Sequence, residues 1–192
     1  MTQVLHAIGL RILHRVERRR AMRGRRDPAL IRAVLARARR VLVLCQGNII
    51  RSPFAARLIV RELGSAAPIA VASAGLGARP GCASPPAPVV AASRFAVDLT
   101  DHTAAAVTGH AVASADVILV MDVPQLIAMR RRFPDARNRT FLLTCLAHET
   151  ALEVRDPIDG DELVCGACFQ HISQAVRPVV GALLDRAPAR PA

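Results

Sequence analysis

The 192-residue sequence has no tryptophan, no tyrosine and no lysine, and only five phenylalanines. Because 52% of its residues are apolar, aliphatic side chains must fill most of a sizeable buried core. No run of 18 uninterrupted apolar residues occurs, which argues against a membrane-spanning helix. The length suits one domain with some sequence to spare.

A disulfide framework is also missing. The five cysteines are an odd number and are irregularly spaced, a pattern that favours reduced thiols. No secretory signal is evident, because the apolar stretch near the N-terminus precedes the arginines instead of following a short basic segment. We therefore expect a cytoplasmic protein.

The net charge of +11 is concentrated at the N-terminus. Residues 1–40 hold twelve arginines against two carboxylates, a net +10, so the rest of the chain is close to neutral. This basic extension is predicted to be one helix over residues 2–40, or a helix broken near Gly24 and Pro28. Its apolar residues recur at helical spacing at Val4, Leu5, Ile8 and Ile12.

The extension admits three interpretations. Its apolar positions and arginines suit an anionic membrane surface, with the guanidinium groups at the headgroups. Its charge alone suits nucleic acid or an acidic partner. The third interpretation is that translation begins at Met22. Because every basic residue other than histidine is arginine, a bias of genomic composition also explains the charge.

From Val41 onwards, short apolar runs alternate with helical segments. Strands are predicted at 41–44, 69–73, 116–121 and 140–144, and helices at 52–63, 87–96, 125–132 and 162–184. This alternation is typical of an α/β fold, with a doubly wound four-stranded parallel sheet in a flavodoxin-like three-layer sandwich. Ligands of such sheets bind at the carboxyl ends of strands, and the loop after Leu44 is such an end.

That loop carries the candidate chemistry, in the segment Cys45-Gln46-Gly47-Asn48-Ile49-Ile50-Arg51-Ser52-Pro53. Gly47 and Asn48 tolerate the backbone angles of a tight loop, and a helix is predicted to start with Ser52 as its N-cap. Successive amide N–H groups then point at one spot beside the positive end of a helix dipole. Arg51 can grip two phosphate oxygens, and the positive surroundings favour a nucleophilic thiolate at Cys45.

At these residues the chain resembles the low-molecular-weight protein tyrosine phosphatases. Their signature is a strand followed by Cys, two residues, Asn, two residues, Arg, Ser and usually Pro. Further landmarks follow in the family's order: Ser73-Ala74-Gly75, Asp101-His102, Met121-Asp122 and Asp156-Pro157. The resemblance implies a phosphatase domain over residues 41–186, after the extension at 1–40 and before a tail at 187–192.

The resemblance also implies a two-step mechanism without metal or organic cofactor, acting on a phosphorylated protein. Cys45 is expected to form a phosphocysteine, Arg51 to stabilise the transition state, and Asp156 to serve as general acid and then base. The substrate's phosphate would be bound by the loop, comprising Gln46, Gly47, Asn48, Ile49, Ile50 and Ser52. Ser73 and His102 are expected to help Asn48 hold the loop in shape.

The chain departs from the family's pattern at the substrate side. Tyrosine-specific members usually place an aromatic residue just after the Asp-Pro, whereas Ile158 and Asp159 follow here. The missing aromatic residue argues against phosphotyrosine as the substrate. Ile49 argues for it, because a branched apolar residue there resembles tyrosine phosphatases, while threonine resembles protein-arginine phosphatases. A second loop cysteine, frequent in the family, is replaced by Ile50. Phosphotyrosine is expected, with phosphoarginine as the alternative.

Besides a phosphatase, two functions are compatible with this loop, an arsenate reductase and a phosphate-binding module. A thioredoxin-coupled arsenate reductase would share the fold and loop, but it needs two resolving cysteines near the site. Cys82 and Cys145 are far apart in sequence, and Cys165 and Cys168 fall in the predicted last helix. The Cys165/Cys168 pair has half of a zinc motif, although packing of one helix face explains it better. A phosphate-binding module without turnover is the third function, and trapping of a phosphocysteine would exclude it.

Overall fold

Four short strands form the centre of the fold. The structure is a computed structural model that describes residues 2–26, 28–65 and 68–185; the side chains of residues 2–10 and 24–26 lie outside the description. Within these residues the strands are β1 (Arg40–Cys45), β2 (Ala70–Gly75), β3 (Val117–Val120) and β4 (Thr140–Leu142). The helices are α1 (Thr2–Arg26), α2 (Ala29–Arg37), α3 (Arg51–Leu63), α4 (Pro86–Ser93), α5 (Gly109–Ser114), α6 (Val123–Arg132) and α7 (Glu162–Leu184). Short 3-10 helices cover Pro134–Arg139 and Leu143–Leu146.

The sheet is parallel throughout, in the order β2-β1-β3-β4. Leu44 of β1 lies opposite Ala74 of β2 on one side and Val120 of β3 on the other. The predicted four-stranded parallel α/β fold is thereby confirmed. Because the chain moves from β1 to one side of the sheet and then returns to the other, a crevice opens at the carboxyl end of β1.

Both faces of the sheet are covered, which explains the continuous apolar runs of its strands. Val41 and Val43 of β1 belong to a core formed with helices α2, α3, α4 and α7. Leu42 and Leu44 point to the opposite face and pack in a second core with α5 and α6. The period-2 alternation of a strand therefore builds two cores from one sequence run and gives the three-layer arrangement.

The basic extension is helical and follows the second of its two predictions near Pro28, since α1 ends at Arg26 and α2 begins at Ala29, whereas Gly24 lies within α1. Helix α2 contributes Ile31 and Leu35 to the first core, and α1 packs against α6. Ile12 is exposed, while the side chains of Val4, Leu5 and Ile8 fall outside the described residues. Among the described residues, no helix has the length and apolarity to cross a membrane.

Several local expectations differ from the structure, among them the helix predicted over 87–96, which ends at Ser93. The strand at 140–144 ends at Leu142, because a 3-10 turn begins at Leu143. The six-residue helix α5 was not predicted. Ser52 is not the N-cap of its helix: α3 begins at Arg51 after Ile50, and no side chain caps it. The Ser52 hydroxyl instead donates a hydrogen bond to Cys45, which leaves the first amides of α3 free of a side-chain cap. The predicted tail at 187–192 lies outside the described residues.

Candidate active site

The loop between β1 and α3 forms the floor of a cleft of about 190 Å³. Cys45 is the last residue of β1, and only 3% of it is exposed. Asn48 has φ of +53°, a left-handed conformation that asparagine tolerates better than most residues. The structure thus brings the predicted loop residues and the predicted acid to one cleft, which is lined by Cys45, Gln46, Gly47, Ile49, Ile50, Arg51, Asp156 and Ile158.

The sulfur of Cys45 accepts two hydrogen bonds. The backbone N–H of Asn48 lies 3.2 Å from Sγ, and the Ser52 hydroxyl oxygen lies 3.1 Å from it. The two donors hold the sulfur in place at the end of β1, where Cys45 lines the cleft.

Asn48 connects the loop to three neighbouring segments. Its Nδ2 donates to the hydroxyl oxygens of Ser52 and Ser73, each at 2.9 Å, and its Oδ1 accepts from the Ala105 N–H at 2.8 Å. His102 Nε2 lies 2.7 Å from the Asn48 carbonyl oxygen. The structure places together the Asn48, Ser73 and His102 side chains that the resemblance grouped.

The end of β2 braces the loop from the other side. The N–H of Leu76 donates to the Cys45 carbonyl at 2.9 Å, and that of Gly77 donates to the Gln46 carbonyl at 3.0 Å. A Cβ on Gly75 would lie 2.7 Å from the Gln46 oxygen and 3.0 Å from the Asn48 nitrogen. Only glycine fits there without displacing the loop, a role that the sequence analysis did not assign to Gly75.

Arg51 is buried and its charge is surrounded by oxygen atoms. Nη1 donates to Asp122 Oδ2 and to the Val154 carbonyl, each at 3.1 Å, and Nη2 pairs with Asp156. A buried cation needs such compensation, because an unpaired one would be strongly destabilising. The contact with Asp156 puts the predicted acid beside the predicted phosphate-binding arginine.

Asp122 is a site residue that the sequence analysis used only as a landmark. Burial raises the pKa of this carboxyl above its ordinary value, and the charge of Glu153 adds to the effect. Asp122 Oδ1 accepts from the Gln125 N–H at 2.9 Å at the start of α6, a spacing that marks helix starts. Its contact with Arg51, 71 positions away, leaves no such local signal.

The other cysteines have different surroundings. Burial raises the pKa of the Cys168 thiol to about 12, so that it stays protonated at neutral pH. Cys165 is also buried on α7, in keeping with the packing interpretation of this pair. Cys145 is buried after β4, whereas Cys82 is exposed on the loop after β2.

A larger cleft of about 640 Å³ lies between α1 and α6. Among the described residues its lining offers no thiol or carboxylate, and it does not hold the predicted loop or the predicted acid; its lining residues are Arg11, His14, Arg15, Pro124, Ile127, Ala128 and Arg131. The smaller cleft at Cys45 is therefore the candidate active site.

Comparison with known proteins agrees with this geometry. The sequence model described as low molecular weight phosphotyrosine protein phosphatase matches residues 40–188. The chain is 38% identical, over 103 residues, to the probable low molecular weight protein-tyrosine-phosphatase EpsP of Ralstonia nicotianae, covering 54% of this chain and 69% of EpsP. It is 34% identical, over 145 residues, to the low molecular weight protein-tyrosine-phosphatase Wzb of Salmonella typhi, covering 75% of this chain and 93% of Wzb.

Solved structures extend the comparison to the fold. The crystal structure of the tyrosine phosphatase AmsI of Erwinia amylovora superposes with a TM-score of 0.70 at 30% identity, covering 76% of this chain and 93% of AmsI. The tyrosine phosphatase Wzb of Escherichia coli K30, solved with sulphate, also gives a TM-score of 0.70, at 28% identity, and covers 76% of this chain and 99% of that one.

Proposed function

Since the chain belongs to the low molecular weight phosphotyrosine protein phosphatase family, and is therefore a phosphatase, we propose that it hydrolyses protein phosphotyrosine at Cys45. The main support is the environment of the Cys45 sulfur, which accepts hydrogen bonds from Asn48 N–H and the Ser52 hydroxyl. A thiolate held in a loop of amide donors is suited to attack phosphorus. The exposed Cys82 has no comparable surroundings, so it is a useful control residue.

In the first step the thiolate of Cys45 attacks phosphorus, and the bond from phosphorus to the tyrosine oxygen breaks. Asp156 gives its proton to the departing oxygen, so that phenol leaves instead of phenolate. The loop amides and Arg51 bind the equatorial oxygens as their charge grows. The products of this step are the dephosphorylated tyrosine and a phosphocysteine.

Asp156 pairs with Arg51 Nη2, a group that the incoming phosphate also needs. We expect the phosphate to take the place of the carboxylate at this nitrogen. Substrate binding would thereby release the Asp156 carboxyl from Arg51 and free it to face the leaving oxygen.

In the second step water attacks the phosphocysteine, and Asp156, now a carboxylate, accepts a proton from that water. The sulfur–phosphorus bond breaks, inorganic phosphate leaves, and the thiolate of Cys45 is restored. The scheme uses the side chains and loop amides of this protein, the substrate and water.

The shape of the cleft supports phosphotyrosine over phosphoserine. Cys45 lies at its floor, and aliphatic side chains form its sides, with Ile49 partly buried and Ile158 52% exposed. A phosphate at the end of a long, flat aryl side chain reaches such a floor while its ring contacts apolar walls. A phosphoserine places its phosphate closer to the peptide backbone and gains no such contact.

The proposal is tested with 4-nitrophenyl phosphate and no added metal. Cys45→Ser should abolish turnover, and Asp156→Ala should lower it by about 10²–10⁴-fold, the usual contribution of general acid–base catalysis. Cys82→Ser is the matched control and should keep the wild-type rate. Wild-type turnover by Cys45→Ser would refute the assignment of the nucleophile.

Substrate class is tested with peptides that carry phosphotyrosine, phosphoarginine or phosphoserine at one position of the same sequence. The proposal predicts the highest kcat/KM for phosphotyrosine. Preference for phosphoarginine would assign the chain to the alternative specificity. The cytoplasmic location and the domain division at residues 40 and 186 stay predictions, as does contact of residues 1–40 with nucleic acid or an anionic membrane.

A further inference from the structure

Helix α1 touches the segment that carries Asp156. Arg18 Nη1 lies 2.5 Å from Glu153 Oε1, and His14 Nε2 lies 3.9 Å from Glu153 Oε2. Glu153 stands three positions before Asp156. Helix α1 precedes the part of the chain that the family's sequence model matches, which begins at residue 40, so this contact joins the extension to the phosphatase domain.

The segment around Glu153 is fixed to the active site by its backbone. Val154 donates its N–H to the Met121 carbonyl at 2.8 Å and accepts a hydrogen bond from Arg51 Nη1 at 3.1 Å. Glu153 Oε2 accepts from the Val123 N–H at 3.0 Å, at the start of α6. A shift of the Glu153 side chain would therefore move Val154, which is hydrogen-bonded to Arg51, and Val123, which follows the Arg51 partner Asp122.

Helix α1 offers a fixed point from which Arg18 can act. Glu17 is only 4% exposed, and it pairs with Arg130 of α6 and, at 2.9 Å, with Arg20. This buried pairing sets the position of α1 against α6. The neighbouring residue, Arg18, then projects to Glu153.

The contact between Arg18 and Glu153 should matter more for catalysis than for stability. The Arg18 side chain is 53% exposed, and ion pairs this exposed stabilise folded proteins by at most about 1 kcal/mol. A catalytic group displaced by about 1 Å, in contrast, can cost 10²-fold in rate. The charge of Glu153 also acts on Asp122, the carboxylate that pairs with Arg51, and Arg18 offsets that charge.

We propose that Arg18 is a positioning residue of the active site: by holding Glu153, it fixes the segment that delivers the proton of Asp156 to the leaving group. This inference rests on the proposed function, in which Asp156 is the general acid. It gives the N-terminal helix a role in the reaction itself.

The test compares two aryl phosphates that differ in their need for an acid. Phenyl phosphate has a poor leaving group that needs a proton, whereas 2,4-dinitrophenyl phosphate has a good one that does not. In the full-length protein, Arg18→Ala should lower kcat/KM for phenyl phosphate by about three- to tenfold and leave the dinitrophenyl ester within about twofold. Arg19→Ala removes the same charge from the adjacent exposed position and should change neither value.

Equal losses on both substrates, or the same behaviour in Arg18→Ala and Arg19→Ala, would overturn the inference. Glu153→Gln is the second variant. It keeps an oxygen for the Val123 N–H but loses the charge that attracts Arg18, so it should show the same selective loss of activity on phenyl phosphate. If Arg18→Ala does not fold, Glu153→Gln alone tests the inference. Asp156→Asn distinguishes a failure of the acid role of Asp156 from a failure of the positioning role of Arg18. If it affects both esters equally, the proposed acid role fails; if it is selective and Arg18→Ala is not, only the role of Arg18 fails.

Discussion

At the residue scale, Asn48 shows how one side chain can satisfy several requirements of a phosphate-binding loop. It adopts a left-handed backbone conformation, donates its N–H to Cys45 Sγ, and uses its amide group to join Ser52, Ser73 and Ala105. Aspartate would have the shape but not the Nδ2 donor, and glycine would have the backbone freedom but no side chain. The position therefore needs asparagine.

Asn48→Ala should reduce the free energy of unfolding by about 2–4 kcal/mol. The substitution removes three hydrogen bonds, one of them buried and two partly buried, and leaves alanine in a left-handed conformation. Ser73→Ala removes one of these bonds and should cost about 1 kcal/mol. Urea unfolding of both variants checks the difference, and equal losses would show that Asn48 has no special place in the loop. We also expect kcat/KM to fall further in Asn48→Ala.

At the element scale, the sequence pattern predicted most of the fold because strands and helices had distinct periods. Strand β1 reads as a continuous apolar run, and α7 was predicted with the bounds that it has, Glu162–Leu184. Helix α5 was missed because six residues give too little periodicity to recognise. The Ser52 cap was wrong because a tertiary partner, the sulfur of Cys45, takes the hydroxyl that a local rule assigns to the helix.

The residues of the candidate site also divide into those that a local sequence pattern predicts and those that only tertiary contacts bring in. Cys45, Asn48 and Arg51 lie in one local motif, and their spacing became informative through its context, an apolar strand before the loop and a helix after it. The partners of Arg51 come from distant segments. Asp122 follows β3, and Val154 contributes its backbone carbonyl, a contact that cannot be predicted from the residue type. Such contacts depend on how the sheet is wound and become visible only once the fold is known.

Helix α1 provides a prediction for an element. Glu17→Ala leaves Arg130 of α6 without its buried partner and should lower the free energy of opening of α1 by about 1–3 kcal/mol, because breaking a buried ion pair is costly. Amide hydrogen exchange over residues 11–26 should then accelerate by roughly one to two orders of magnitude, while β1 exchanges as before. Glu62→Ala removes an exposed partner of Arg61 and should change exchange in α1 very little. Unchanged exchange of α1 in Glu17→Ala would contradict the anchoring role of Glu17.

At the scale of the whole molecule, buried charge makes the global stability depend on pH. Burial raises the pKa of Asp122 above 3.8, so the folded protein binds a proton there more tightly than the unfolded chain does. The contribution of this group to stability is thus fully present below pH 3.8 and is lost as the pH rises through its folded pKa. Near neutral pH the ionised Asp122 lowers the stability of the folded protein through its burial, and it is also the group that pairs with Arg51.

Asp122→Asn tests this linkage, because the neutral amide cannot titrate. The free energy of unfolding of the wild type, minus that of the variant, should fall as the pH is raised from 4 to 7. Denaturant unfolding at several pH values measures both proteins under the same conditions, so that the titration of all other groups cancels. A difference that stays constant or grows with pH would contradict the raised pKa of Asp122.

The whole molecule also joins two unlike parts, a basic N-terminal extension and a nearly neutral phosphatase domain. The contacts of Glu17 and Arg18 show that part of this positive charge pairs with carboxylates of the chain itself. The exposed arginines that remain, such as Arg15, Arg19 and Arg23, are those available to an acidic partner or an anionic surface.

The most direct test of the central claim is to trap the covalent intermediate. Full-length protein is mixed with 2,4-dinitrophenyl phosphate, quenched in acid within milliseconds, and digested for mass spectrometry. A phosphatase that works through Cys45 should carry one phosphoryl group on the peptide containing Cys45, and Cys45→Ser should carry none on sulfur. Turnover of the substrate by the wild type with an unmodified Cys45 peptide, or with the phosphoryl group on another cysteine, would contradict the mechanism.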